Sequence, residues 1–386
     1  MMIKSIEYSQ FEGKAAEWKL EGCMLQDVNL IVGQNATGKS RILSIILSLA
    51  RLLSGDQKLV FRSGHYRITF EDQGTETVYI LRYENGAVIR EVLGIGSVNY
   101  LNRRRNGIGT IQYEELGEKV RFQSPTSELA CVARRDNVQH SFLEPLHKWA
   151  TSVRYYPFGS PMGKDHLLLR NRATTNASQE SVGPDPREAT KVVIKLEKGI
   201  REYPKRFINS TIEDMAKIGY RLQGISVERP TSISVHTDYP VKAVGLSVKE
   251  CGLRAPTDQH EMSQGMFRAL SLMVHVNYSL LADLPSCLLI DDIGEGLDYE
   301  RSSALVKLLV AKTKGTSIQL IMATNDRFIM NSVPIEYWSV IERAAGKSKV
   351  YNRKNSPEVF SQFELTGLNN FDFFSSDYFL RGDATQ

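Results

Sequence analysis

The octapeptide Gly33-Gln34-Asn35-Ala36-Thr37-Gly38-Lys39-Ser40 sets two glycines, a lysine and a hydroxyl at Gly-x-x-x-x-Gly-Lys-Ser spacing. Each residue type suits the binding of a phosphate chain. Gly33 and Gly38 let the backbone wrap, so that N–H groups from Asn35 to Ser40 point inward. Lys39 reaches the β and γ oxygens, Ser40 offers a hydroxyl to Mg²⁺, and the positive end of a following helix faces the phosphates. A second feature is LLIDD, residues 288–292, a buried apolar strand ending in two carboxylates. Desolvated carboxylates are costly unless they meet a cation or solvent. Asp291 is therefore expected in the Mg²⁺ shell, and Asp292 near the γ-phosphate, polarising water. The plain alternatives are an ordinary strand-to-helix turn at 33–40 and an exposed strand end at 291–292.

The third stretch, MSQGMFRAL (262–270), puts Ser263, Gln264 and Gly265 ahead of Arg268 and a long apolar run. Ser263 can cap the helix, and open amides at a helix start favour an anion. Arg268, one turn in, is suited to a charge-assisted contact with a phosphate or carboxylate, or else to the surface.

The elements that must position these residues follow from periodicity. IKSIEYSQF and MLQDVNLIVG read as strands, and RILSIILSLARLL after the glycine loop reads as a helix. Short runs from Tyr66 to Val92 predict an N-terminal antiparallel sheet. Residues 94–125 are Gly-, Asn- and Arg-rich and show no clear period. SELACVARRDN and SFLEPLHKWATSV look helical, and VRYYPF reads as a strand. The polar stretch 159–189 is expected to be an exposed insertion. TIEDMAKIGYRLQGI predicts a helix, with short strands at SISVHT and AVGLSVKE. A helix over 264–281, the strand CLLIDD, a helix over 299–311, and strands at SIQLIMAT and YWSVIE complete an α/β pattern. No short repeat or heptad run is present.

With 386 residues, 42% hydrophobic and 24% charged, the chain is expected to be globular throughout. A formal charge of +4 is too small to name a partner. Arg103–Arg105 and Arg134–Arg135 are local basic clusters, suited to phosphate, to a partner's carboxylates or to solvent. The four cysteines, Cys23, Cys131, Cys251 and Cys287, lack zinc or redox spacing and are expected to be reduced thiols. The N-terminus has no signal-peptide core, and no segment approaches a membrane span, so a cytoplasmic location away from the membrane is expected.

Together IVGQNATGKS, MSQGMFRAL and LLIDDIGEGLD resemble the Walker A, signature, and Walker B with D-loop of the ABC-type ATPase superfamily, including the heads of chromosome-maintenance and recombination ATPases. The closer resemblance is to standalone prokaryotic ATPases related to those of overcoming-lysogenisation-defect nucleases. The resemblance implies an ABC-type P-loop NTPase fold over residues 1–350, with a mixed core sheet, the N-terminal antiparallel sheet, and helical or loop insertions at 94–125 and 159–250. It implies ATP and Mg²⁺ as cofactors, with Gly33, Gln34, Asn35, Ala36, Thr37, Gly38, Lys39, Ser40 and Arg41 around the nucleotide. It implies that two copies pair head to tail, so that Ser263, Gln264, Gly265 and Arg268 meet the ATP of the opposite subunit. Asp298, in the D-loop, would cross the same interface, or else simply cap a helix.

Two departures from the family pattern stand out. Asp292 replaces the usual glutamate with a side chain one methylene shorter, which holds an attacking water less well. Asn325, in IMATNDRF, replaces the usual switch histidine. It can hydrogen-bond to a γ-phosphate but cannot titrate near neutrality; a turn residue is the alternative. Both changes imply slow or assembly-dependent hydrolysis, with Asp292, Lys39 and Asn325 as the catalytic set. Gln112 and Gln139 are both open as the Q-loop residue. His140 and His147 read as structural.

Nuclease-bearing relatives carry a fused nuclease domain, for which the residues after YWSVIE are too few, so cutting is expected of a separate effector chain. Between Tyr351 and Phe379 lie eight aromatic residues, so the tail 351–386 is expected to pack on the core or a partner. The leading expectation is an ATP-driven switch, a homodimer or higher homo-oligomer, controlling an effector in anti-phage or anti-plasmid defence. The rivals are a DNA repair or recombination ATPase that binds DNA, and an ATP-binding scaffold with little turnover.

Overall fold

The computed structural model describes residues 1–171, 192–233 and 241–385. In chain order, the strands β1 (Met2–Gln10), β2 (Trp18–Met24) and β3 (Val28–Val32) lead through the glycine loop into α1 (Lys39–Ser54). Six strands follow: β4 (Ser63–Asp72), β5 (Thr75–Glu84), β6 (Ala87–Ile95), β7 (Val98–Arg104), β8 (Ile108–Tyr113) and β9 (Glu118–Gln123). Then come α2 (Ala130–Ala133), α3 (Glu144–Ser152), β10 (Val153–Pro157), β11 (Leu168–Asn171), α4 (Val192–Glu202), α5 (Pro204–Ile218), β12 (Leu222–Glu228), β13 (Val241–Glu250) and β14 (Thr257–Asp258). The last third comprises α6 (Gln264–Leu281), β15 (Ser286–Asp291), α7 (Tyr299–Thr313), β16 (Ile318–Thr324), α8 (Arg327–Ser332), β17 (Trp338–Ala344), β18 (Lys347–Asn352), α9 (Pro357–Glu364) and α10 (Asn370–Ser375).

The chain divides into two compact units. The first is Met1–Val153, Pro285–Leu289 and Gln319–Gln386; the second is Arg154–Leu284 and Ile290–Ile318. In the first unit the sheet order is β15-β16-β3-β17-β18-β2-β1-β4-β5-β6-β7-β8-β9. Strands β16 and β17 flank β3 in parallel, and β18 pairs β2 in parallel, whereas β1 and β4 to β9 form an antiparallel run. Every residue of β3, β15 and β16 is buried, as expected of strands covered on both faces. β5 instead alternates buried with part-exposed positions, the pattern of a sheet with one wet face. The mixed sheet is that of an ABC-type P-loop fold.

Residues 94–125, which show no sequence period, are strands: they complete β6 and add β7, β8 and β9. The expected helix in SELACVARRDN shrinks to the four residues of α2. Arg103 is not a surface cation. Its side chain is fully buried, with Nη1 3.4 Å from Glu91 Oε2 and 2.6 Å from the carbonyl of Glu128, and Nη2 on the carbonyls of Ser124 and Pro125. Glu91 also accepts the N–H groups of Ala130 and Cys131 at 2.7 and 2.9 Å. In the tail, Phe360, Phe363 and Phe373 are buried against one another, with ring centroids 4.6 and 4.9 Å apart from Phe373. Phe379 packs on Tyr351 at 5.4 Å.

The second unit is built on α6, whose residues from Gly265 to Ser279 are all buried. Asp214 of α5 ties its neighbours together, accepting from Asn277 of α6 at 2.9 Å and from Lys312 of α7 at 2.5 Å. The small sheet β11-β13-β12, with β14 on β13, covers the stretch read as AVGLSVKE. The expected insertion 159–189 and the expected strand SISVHT lie partly outside the described residues. Among the described residues no helix is long and apolar enough to cross a membrane.

Candidate functional site

In the first unit the residues around β3 and α1 form the phosphate loop. Gly33 is dictated by packing: a Cβ there would lie 2.6 Å from Ile341 Cγ2 and 2.9 Å from the Ile341 carbonyl oxygen. Ala36 holds φ at 63°, a left-handed turn uncommon for a residue with a side chain. The turn is held from outside. Arg343 donates to the carbonyl of Ala36 at 2.9 Å, Ser348 to that of Thr37 at 3.0 Å, and Thr37 Oγ1 to that of Gln34 at 2.8 Å. Lys39 is only 7% exposed and lies back across the loop, its Nζ 2.7 Å from the carbonyl of Gly33 and 2.9 Å from that of Gln34. The first turn of α1 has no side-chain cap and no acidic residue. Its positive end is therefore left to the loop it faces.

Two further features complete this part. Asn325 Nδ2 donates to Asn35 Oδ1 at 2.9 Å, so Asn325 stands at the loop. Arg41, expected around the nucleotide, stacks its guanidinium 3.7 Å over the ring of the buried Trp18. Burial holds the Arg41 pKa below its ordinary value, with the Tyr8 hydroxyl opposing and Arg343 adding to the shift. No sequence signal singles out Trp18, Arg343 or Ser348, because each reaches the loop from a strand paired far along the chain.

In the second unit, Asp291 ends β15 with 8% exposure. The Tyr155 hydroxyl donates to its Oδ2 at 3.1 Å, and the Phe158 N–H donates to its carbonyl at 2.9 Å. Burial, and then the charge of Asp291, hold the Tyr155 proton on well above the ordinary phenol range. Asp292 takes a left-handed φ of 52° and is half-buried, and a Cβ on Gly159 would lie 3.5 Å from its Oδ2. Serial turns then carry the chain from Asp292 to α7, with Glu295 N–H on the carbonyl of Asp292 and Leu297 N–H on that of Gly294.

Ser263 caps α6, accepting from the Met266 N–H at 3.2 Å, and Gln264 Oε1 is buried without a partner. Gly265 meets the turn before α7 so closely that a Cβ would lie 2.6 Å from the carbonyl oxygen of Gly296 and 2.7 Å from Leu297. Asp298 caps α7, accepting from the N–H of Arg301 at 2.9 Å and from its guanidinium at 2.5 Å. Arg268 is not the surface residue of the alternative reading. It is 6% exposed, and its Nη1 and Nη2 donate to the carbonyls of Glu295 and Ser160 at 2.5 and 2.8 Å. A guanidinium so engaged is a brace between three backbone segments.

Of the open Q-loop positions, Gln112 sits in β8 opposite Lys119, and the Gln139 N–H turns onto Asp136. Neither meets the residues above. The segment that meets Asp291, Asp292 and Arg268 is 155–160, which begins inside VRYYPF (153–158), a run that sequence periodicity reads as a strand. Among the described residues no three His, Cys, Asp or Glu side chains cluster as a resident metal centre. The Ser40 hydroxyl in the first unit and the Asp291 carboxylate in the second are each a hard oxygen donor of the kind Mg²⁺ takes, so the chemistry of each fits that ion.

The chain is similar in fold to the SMC head bound to the C-winged helix domain of ScpA, at 14% identity and a TM-score of 0.53, covering 91% of this chain and 97% of that one. It is also similar to an SMC head domain with an extended coiled coil bound to the C-terminal domain of ScpA, from Pyrococcus furiosus, at 12% identity and a TM-score of 0.50, covering 94% and 99%. No curated protein matches. A family described as "AAA domain, putative AbiEii toxin, Type IV TA system" matches residues 28–331, from β3 through the phosphate loop, β15 and β16 to α8. With that match over most of its length and a P-loop fold of the ABC type, the chain belongs to this family of P-loop ATPases.

Proposed function

We propose that the protein is an ATP- and Mg²⁺-dependent switch that hydrolyses ATP slowly at an interface between two copies. The observation that carries this reading is the phosphate loop: a braced turn, an uncapped helix start and Lys39 lying across both. Lys39 neutralises phosphate charge, the amides of 35–40 bind the phosphate oxygens, and Asn325, already bonded to Asn35, reads the terminal phosphate. Asp292 orients the attacking water. Ser40 and Asp291 are the residues that would hold Mg²⁺, which when bound would supply charge stabilisation to the phosphates. Ser263, Gln264 and Gly265 complete the site of the opposite copy, while Arg268 keeps α6 in step with the turn before α7.

The family description and the likeness to heads crystallised with a partner protein support a setting in which the ATPase controls a separate effector, a nuclease or toxin, in defence against phage or plasmids. Phosphate release across a protein concentration series tests the reading. Turnover per chain is expected to rise with concentration and to fall at least about a hundredfold in Lys39→Ala. Turnover that is flat with concentration and untouched by Lys39→Ala sinks it.

A further inference from the structure

The segment 155–160 touches each part of the second unit's chemistry in turn. Tyr155 reaches the Asp291 carboxylate and Phe158 its backbone; Gly159 lies beside Asp292, and the carbonyl of Ser160 receives Arg268 from the signature helix. Tyr155 is the member whose side chain acts on a reacting-site carboxylate. A carboxylate at a strand end rotates about its last bond, and a buried one rotates between orientations that present different lone pairs. A donor fixed on a neighbouring strand selects one orientation. Tyr155 has that geometry: it is half-buried, its strand is pinned to Asp291 by the Phe158 N–H, and its hydroxyl lies 3.1 Å from Oδ2. Its neighbour Tyr156 points elsewhere, edge-on to His275 at 6.0 Å.

We propose that Tyr155 is a positioning residue that sets the rotation of the Asp291 carboxylate and so tunes the Mg²⁺ affinity of the nucleotide complex. The inference rests on the reading of Asp291 as a metal-binding carboxylate. The full chain, bound to a fluorescent ATP analogue, is titrated with Mg²⁺ and separately with Mn²⁺, the latter followed by loss of free Mn²⁺ signal. Tyr155→Phe removes one oxygen and keeps the ring, so the fold is retained. It is expected to raise the metal midpoint about tenfold, with analogue binding in chelator unchanged, because loss of a group orienting a metal-binding residue costs affinity on that order. Tyr156→Phe is expected to overlay the parent. Added to Asp291→Asn, Tyr155→Phe is expected to give no further shift, since there is no charged carboxylate left to orient. An unshifted midpoint in Tyr155→Phe, with Asp291→Asn shifted, overturns the inference alone. A full additional shift in the double variant does the same. An unshifted midpoint in Asp291→Asn overturns the reading of Asp291 and the inference with it.

Discussion

Asp292 is a short carboxylate on a left-handed backbone, and the two facts are connected. At φ 52° the Cβ of any L-residue crowds a backbone carbonyl, and Asp and Asn are enriched in this region because their short polar side chains can hydrogen-bond locally. Asp292→Glu, which keeps the Cβ and loses only the local hydrogen bonding of a short side chain, is expected to shift the denaturation midpoint little, by about 0.5 kcal/mol or less. Asp292→Asn keeps the turn and is expected to leave nucleotide binding intact while slowing turnover about a hundredfold, measured by phosphate release. Arg103 belongs to this scale too. Truncating one partner of the fully buried Arg103–Glu91 pair leaves the other charged and dry, so Arg103→Ala is expected to cost about 3–5 kcal/mol in urea unfolding. DNA binding lost in that variant would report unfolding; the exposed neighbours Arg104 and Arg105 are the ones to neutralise in a DNA-binding assay.

Among the elements, α4 and α6 share a contact with a worked pH dependence. Lys195 Nζ lies 3.2 Å from His275 Nδ1. Burial, with Arg154 and Lys198 nearby, lowers the Lys195 pKa from 10.5 to about 7, and burial holds His275 well below 6.5. Both depressions mean that the unfolded chain binds more protons than the folded one. Stability therefore rises with pH, through the His275 range below 6.5 and again between about 7 and 10.5 for Lys195. Urea midpoints are expected to climb from pH 6 to pH 9, and Lys195→Met is expected to flatten the upper part of the climb. The start of α6 is the other informative element. Its cap, Ser263, is exposed, whereas Arg268 is committed to two carbonyls. A probe of contact between copies therefore belongs at Ser263, and a probe of internal bracing at Arg268.

For the whole molecule, the proposal requires assembly. Mass measurement is expected to show growth from monomer to dimer with ATP and Mg²⁺, abolished by Ser263→Arg, which sets a cation and bulk where the opposite nucleotide is proposed to sit. Growth that Ser263→Arg leaves intact removes the signature helix from the interface. The DNA-binding rival predicts salt-sensitive binding by the chain alone, and the scaffold rival predicts assembly without phosphate release. The aromatic tail does not supply a loose hydrophobic arm: Phe360, Phe363 and Phe373 are buried in the first unit, and among the tail's described residues the exposed large hydrophobics are Leu365 and Leu368, between α9 and α10.

Local spacing was enough to read Gly33–Ser40 as a phosphate loop, Asp291 and Asp292 as a strand end, and Ser263 and Asp298 as cap positions. Each of these is specified by residues within one turn or one strand, where backbone geometry leaves few alternatives. The helix over 264–281 and the strand ending at Asp291 were legible for the same reason. What only the tertiary structure decided is which distant segment meets each of them: Tyr155 on Asp291, Arg343 and Ser348 on the loop, Trp18 under Arg41, and the carbonyls of Ser160 and Glu295 around Arg268. Strands β7 to β9 and the burial of Arg103 belong with these. Their stability comes from register and desolvation between segments far apart in the chain, and neither leaves a periodic mark in the sequence.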